Sequence, residues 1–172
     1  MADEILRKQE METSETGTGK KMSAITIRPM AEEDLEQVEA IEKACFSIPW
    51  SVKSFLDACT TEENIYLVCC DDSNKIMGYC GLWTVLGEGN ITNMAVAKEY
   101  RKHGIGEALM KEMERLGQLK DVSVFFLEVR ESNEPAKRLY EKMGYREIGK
   151  RKRFYERPVE DALIMSKIYR LI

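Results

Sequence analysis

Several things are missing from this sequence, and each absence sets a limit. It has a single histidine, His103. No cluster of His, Cys, Asp and Glu at metal-ligand spacing accompanies it, so no metal centre is expected. There are five cysteines, Cys45, Cys59, Cys69, Cys70 and Cys80. Their number is odd, no pair stands as C-x-x-C, and neighbours such as Cys69 and Cys70 point to opposite faces of a strand. Reduced thiols used as small core residues of a cytoplasmic protein are therefore expected, not a disulfide framework. No apolar run approaches the ~20 residues of a membrane span. The opening MADEILRKQE is charged where a signal peptide is apolar. Neither sign of charge dominates: 26 Lys and Arg stand against 30 Asp and Glu, interspersed, for a net charge of −4. Nucleic acid and membrane are not expected partners on that ground. The basic run KRKR at 150–153 reads as a solvated strand edge, where charge also opposes aggregation. No internal repeat is found.

What is present is the pattern of one α/β domain, since 172 residues suffice to bury a single core. Residues 1–22 contain the polar stretch METSETGTGKK and read as a flexible N-terminal extension. Residues 23–172 read as the folded domain. AITIR alternates as a strand that Pro29 ends. AEEDLEQVEAIEKACF places Leu35, Val38, Ile41 and Cys45 on one helical face, with acids in the first turn. SVKSFLDACT is a short helix with Ser51 as its cap. NIYLVCC and KIMGYCGLWTVL form a hairpin around DDSNK, and GNITNMAVA is the next strand. GIGEALMKEMERLGQL and NEPAKRLYEKMG are helices, the second capped by Asn133, opened by Pro135 and stopped by Gly144. Between them lies VSVFFLEVR, which reads as a buried strand. YREIGKRKRFY and DALIMSKIY close the chain as strands. The order β-α-α-β-β-β-α-β-α-β-β predicts a mixed, mostly antiparallel seven-stranded sheet with local parallel pairing, flanked by about four helices.

Two features carry chemistry. The turn R-K-H-G-I-G joins a strand to a helix. Gly104 and Gly106 allow close backbone approach, the helix start offers free N–H groups, and Arg101, Lys102 and His103 add positive charge, which together make an anion site. An ordinary glycine-containing turn has the same letters. The turn is neither G-x-G-x-x-G nor a P-loop. The second feature is Glu128, a carboxylate in the most apolar strand. A bare buried charge is costly, so Glu128 needs a partner, water or a task. It is either a general base or a strand residue paired with Arg130, two positions on and on the same face. Tyr140 is either a core aromatic or a proton donor, and a buried hydroxyl needs a partner either way.

These segments resemble a known family. V-x-x-x-x-R-x-x-G-x-G, from Val96 to Gly106, resembles the acetyl-CoA pyrophosphate loop of the GNAT family of N-acetyltransferases. ACFSIPWSVKSF, FLEVRESNEPAKRLYEKMGY and KRFYERPVEDALIM resemble, in order, segments of its RimI-type branch, the ribosomal-protein-alanine N-acetyltransferases. The resemblance spans residues 24–168. It implies that two parallel strands splay and admit acetyl-CoA between them. Met94, Ala95 and Val96 would meet the acyl and pantetheine portion. Lys102, His103, Gly104, Ile105, Gly106 and Glu107 would surround the pyrophosphate, with Arg101 leading into the loop and Asn133 nearby. Glu107 departs in charge from the residues usual there, which leaves its backbone as the expected contact. Glu128 would be the general base and Tyr140 the acid that protonates the departing thiolate.

The resemblance implies an N-terminal alanine of a small-subunit ribosomal protein as acceptor. Chemistry favours an α-amine: at pH 7 roughly one in ten is neutral, against about one lysine in 2,500. Trp50 and Tyr155, in the PWS and FYERP segments, are candidate walls of a peptide groove or plain packing residues. Phe154 stands where the family often has a second tyrosine, which puts one acceptor contact in doubt. A lysine or small-molecule amine as acceptor remains an alternative, as does a non-catalytic CoA-binding partner protein.

Overall fold

The structure is a computed structural model that describes residues 24–169 and the backbone of Lys8–Gln9. The expected flexible extension over 1–22 otherwise lies outside the described residues. The elements are β1 (Lys8–Gln9), β2 (Ile25–Pro29), α1 (Leu35–Cys45), α2 (Val52–Cys59), β3 (Ile65–Cys70), β4 (Ile76–Val85), β5 (Glu88–Val96), α3 (Ile105–Leu119), β6 (Val124–Arg130), α4 (Glu134–Lys142), β7 (Arg146–Glu156) and β8 (Val159–Ile168). They form one sheet in the order β1-β2-β3-β4-β5-β6-β8-β7. The seven long strands and four helices are those the sequence pattern requires, and the two-residue β1 extends the sheet beyond β2. Among the described residues, only β5 and β6 pair in parallel. β7 does not pair with β6 across the α4 crossover, because β8 lies between them.

The sheet separates two cores. On one face α3 packs Ile105, Leu109 and Met113 against Leu67, Leu82, Phe125 and Leu127. On the other, α1 and α2 pack Val38 and Phe55 against Val68, Ile76 and Tyr79. The neighbours Cys69 and Cys70 divide between the two cores, as alternation along β3 requires. All five cysteines are free thiols. Helix starts follow the letters. Ser51 accepts from the Ser54 N–H at 3.2 Å, and Asn133 Oδ1 accepts from the Ala136 N–H at 3.2 Å. Ahead of α1, the buried Asp34 accepts from Arg28 at 2.6 and 2.8 Å and from the Ala31 N–H at 2.8 Å, pinning β2 to the turn that starts the helix.

Two departures from a regular sheet matter for function. First, β4 and β5 slip register: Gly81 faces Asn93 and Leu82 faces Ile91, so Thr92 is an extra residue. Such a bulge re-aims the side chains beyond it. Ile91 therefore packs in the α3 core, while Ala95 packs in the α1–α2 core. Second, β6 is not buried on both faces. Phe125, Leu127 and Val129 are buried, whereas Val124, Phe126, Glu128 and Arg130 are only partly so. The run of apolar letters masks an alternating strand. Glu128 lies on its half-open side.

Candidate active site

The bulge and the end of the parallel ladder coincide. β5 and β6 pair from Glu88–Val124 to Ile91–Leu127 and no further. Yet β5 stays paired to β4 as far as Val96, and β6 stays paired to β8 as far as Arg130. A slot opens between two strands that are each held from behind. Along it, the backbone groups of Met94 and Val96 point away from β4 and have no strand opposite them, whereas Ala95 between them turns its own to Tyr79 of β4. Backbone polar groups require partners, so this edge suits a ligand with amide groups of its own.

The anion loop stands at one end of the slot. Lys102 and Gly104 both take left-handed backbone, φ 65° and 78°, which curls the loop ahead of α3. Its first-turn N–H groups, those of Ile105, Gly106 and Glu107, have no acceptor one turn back, and the helix adds its positive end. A Cβ on Gly106 would stand 2.9 Å from Met94 Cε and 3.3 Å from Leu139 Cδ2, so glycine lets the helix start lie close to β5. Lys102 and His103 are exposed. Arg101 is exposed as well but is held in place: its Nε donates to the Val96 carbonyl at 3.0 Å and its Nη2 to Cys45 Sγ at 3.3 Å. Glu107 is engaged by Lys111 at 2.8 Å and Lys142 at 2.5 Å. These two ammonium groups hold its carboxyl below the usual range, and its backbone remains for the loop.

Glu128 and Tyr140 lie on opposite faces of the sheet. Alternation along β6 puts Glu128 on the α1–α2 side, since its neighbours Leu127 and Val129 lie in the α3 core. Tyr140 comes from α4 on the α3 side and is buried there. Its hydroxyl is pushed far above the ordinary phenol range, first by burial, with Tyr155 and Cys80 adding to the effect. It is therefore protonated at every physiological pH. The alternative reading that pairs Glu128 with Arg130 does not hold. Glu128 is 32% exposed and its cation is Arg151 of β7, at 3.4 Å. Arg130 instead binds Glu160 at 3.1 Å and the Arg157 and Pro158 carbonyls at 3.1 Å. Its guanidinium lies 4.1 Å over the Tyr155 ring. Burial pushes the Tyr155 hydroxyl up to about 12, with Arg130 lowering it and Glu128 and Glu160 raising it. Tyr155 thus belongs to the same electrostatic neighbourhood as Glu128 and Tyr140. Phe154 packs edge-on against it at 5.1 Å. Trp50 packs on Phe55 at 5.4 Å, against the α1–α2 core. Asn133 sits at the start of α4 as its cap.

Sequence reasoning missed three residues here. Arg151 required the β7–β8 register. Asn93 required the bulge. Glu42 had a visible signal, because it lies four residues after Val38, next to Ile41, within the apolar stripe of α1. It is buried, 2% exposed.

A strand pair opened beside a glycine loop at a helix start, with a carboxylate on one side and a phenol on the other, is the architecture of an acyl-CoA-using transferase. Residues 35–145 match the signature of the acetyltransferase (GNAT) family, and the chain belongs to that family. A Bacillus subtilis (strain 168) protein is 38% identical over 139 residues, 81% of this chain and 92% of its own length. The ribosomal protein bS18-alanine N-acetyltransferase of Escherichia coli (strain K12) is 32% identical over 143 residues, 82% of this chain and 95% of its own. The crystal structure of the ribosomal-protein-S18-alanine N-acetyltransferase from Escherichia coli superposes with a TM-score of 0.78, 29% identity and coverage of 86% of this chain and 96% of that one.

Proposed function

We infer that this acyltransferase moves the acetyl group of acetyl-CoA to the N-terminal α-amine of a protein, with alanine first and a small-subunit ribosomal protein as the acceptor. The observation that carries this reading is the slot itself: parallel pairing that stops at Ile91–Leu127 beside the loop 101–107. The similarity to bS18-alanine N-acetyltransferases supports the acceptor class. The residues present fit acetyl-CoA. The pantetheine amides match the slot-facing backbone of β5 at Met94 and the Val96 N–H, on either side of Ala95, and the pyrophosphate matches the N–H groups of Gly104, Ile105, Gly106 and Glu107, with Lys102 and His103 beside them. Asn133 stands close at the start of α4. When bound, acetyl-CoA supplies an activated acyl group.

Glu128 takes a proton from the incoming ammonium, directly or through one water, so that the amine nitrogen holds a free electron pair. Tyr140, protonated and on the other side of the slot, donates to the sulfur as the C–S bond breaks. A base of this kind contributes roughly 10²- to 10⁴-fold. Trp50 and Tyr155 bound the peptide on the open face. No helix of the described residues is long and apolar enough to cross a membrane, and a cytoplasmic acceptor fits this reading.

A peptide panel tests it. Acetyl-CoA is supplied with peptides that carry either a free N-terminal alanine and an internal lysine, or a blocked N-terminus and the same lysine. CoA release and mass spectrometry locate the acetyl group. Acetylation of the free α-amine alone is expected. Modification of lysine in both peptides would assign a different acceptor, and binding without turnover on any peptide would assign a non-catalytic role.

A further inference from the structure

α1 carries a buried carboxylate that the base and acid described above make no use of. Glu42 is 2% exposed, and no lysine or arginine pairs with it among the described residues. A buried charge without a cation is costly, so its presence asks for a reason. Both of its hydrogen-bond partners are donors. Oε1 accepts from the Trp50 backbone N–H at 3.0 Å, and Oε2 accepts from the hydroxyl of the fully buried Tyr79 of β4. The ionised form, which only accepts, suits that pair.

The segment that Glu42 holds has little else to hold it. Residues 46–49, between α1 and α2, are exposed, and Pro49 has no N–H to give. The chain is tied back at Trp50 by Glu42, and at Val52 by Glu39, whose carboxylate accepts from the Val52 N–H at 3.1 Å. The Trp50 ring rests on Phe55, and Phe55 stands edge-on to Tyr79, each pair at 5.4 Å. Glu42, Tyr79, Phe55 and Trp50 thus close a ring, and contacts on either side tie it to the slot. Tyr79 faces Ala95 across the β4–β5 ladder, between the slot-facing Met94 and Val96. Cys45, the last residue of α1, receives the Arg101 guanidinium, which also binds the Val96 carbonyl. We propose that Glu42 is a positioning residue for the acceptor: it fixes the Trp50 wall against β4 at the level of the slot, so that the peptide meets a preformed groove. A preformed wall spares the ordering cost that binding otherwise carries. Glu42 bonds to no residue of the acetyl-CoA loop, so its effect falls on the peptide and not on the cofactor. This inference rests on the N-acetylating reading above, in which Trp50 bounds the peptide.

The test is the double variant Glu42→Leu/Tyr79→Phe in the full chain. It replaces both buried polar partners by apolar groups of similar shape, an exchange that is often neutral or stabilising, and it leaves Glu39 on Val52. What it removes is the hold on Trp50. KM for an N-terminal-alanine peptide should rise about tenfold, the worth of roughly one hydrogen bond. The dissociation constant for acetyl-CoA should be unchanged and the melting temperature no lower. Glu42→Gln keeps an oxygen for the Trp50 N–H and should restore a peptide KM close to that of the wild type. On a Trp83→Phe background Trp50 is the only tryptophan, and acrylamide should quench its fluorescence more readily in the double variant. A purely structural pair would instead lower the melting temperature and leave the peptide KM alone. An unchanged peptide KM, unchanged quenching, or an equal weakening of acetyl-CoA overturns the proposal, and so does failure of the double variant to fold. If the wild-type protein acetylates no N-terminal peptide, the proposed function fails and this inference with it. If it acetylates them and the double variant does so with the same KM, only this inference fails.

Discussion

The roles proposed for Glu128 and Tyr140 differ in what the reaction demands. The attacking amine arrives mostly protonated, at a pKa of ~7.7–8.0, whereas the departing thiol has a pKa of ~8.5 and leaves as a tolerable anion. The base is therefore the more important partner. Glu128→Gln should lower kcat/KM by about 10²- to 10³-fold, and Tyr140→Phe by about tenfold. Steady-state kinetics of both variants on one peptide decide this; equal losses or the reverse order would refute the assigned roles. Because burial keeps Tyr140 protonated, its replacement should lower the plateau of the pH–rate profile without moving the acidic limb. At this scale the sequence was partly legible. Glu128 stood out as a carboxylate among apolar neighbours. Its partner was misread, because Arg130 is adjacent in the chain while Arg151 reaches Glu128 only across β8.

At the scale of elements, the start of α3 combines backbone geometry with chemistry. Gly104 holds φ 78°, a conformation that costs a residue with a Cβ roughly 1–2 kcal/mol. Gly104→Val should distort the loop and weaken acetyl-CoA about tenfold or more by calorimetry, with helix content by circular dichroism preserved. Undiminished affinity would remove the loop from the binding site. Glu107→Gln should leave affinity within about twofold, because the Glu107 side chain is committed to Lys111 and Lys142 and exposed ion pairs contribute little. Helices and caps were legible, since Ser51 and Asn133 act locally on N–H groups three residues on. The half-open face of β6 was not. Phe126 looks like a core residue by its letter, yet its side of the strand is only partly covered.

For the whole molecule, the Arg28–Asp34 pair gives a pH prediction. Burial alone would push the Asp34 carboxyl up, but the hydrogen bonds from Arg28 and the Ala31 N–H, with the guanidinium charge, outweigh it and hold it below the usual range. The folded state therefore binds this proton less readily than the unfolded chain. Its contribution is fully present above about pH 4 and is lost as pH falls through the lowered folded value. Asp34→Asn should cost about 3 kcal/mol at pH 7, since it leaves Arg28 without its partner anion, and should flatten the acid limb of stability. Urea midpoints measured from pH 2 to pH 7 check both, and an unchanged acid limb would show that the pair does not control acid unfolding.

The order of strands and helices, the helix caps and the glycine loop followed from local letters. Periodicity, capping and backbone freedom act over a few neighbouring residues and are written in the chain. The slot, the pairing of Arg151 with Glu128 and the bonding of Glu42 to Tyr79 and the Trp50 N–H were decided by tertiary structure. Each depends on a register between strands distant in sequence, and a single extra residue at Thr92 reverses which face every later side chain of β5 presents.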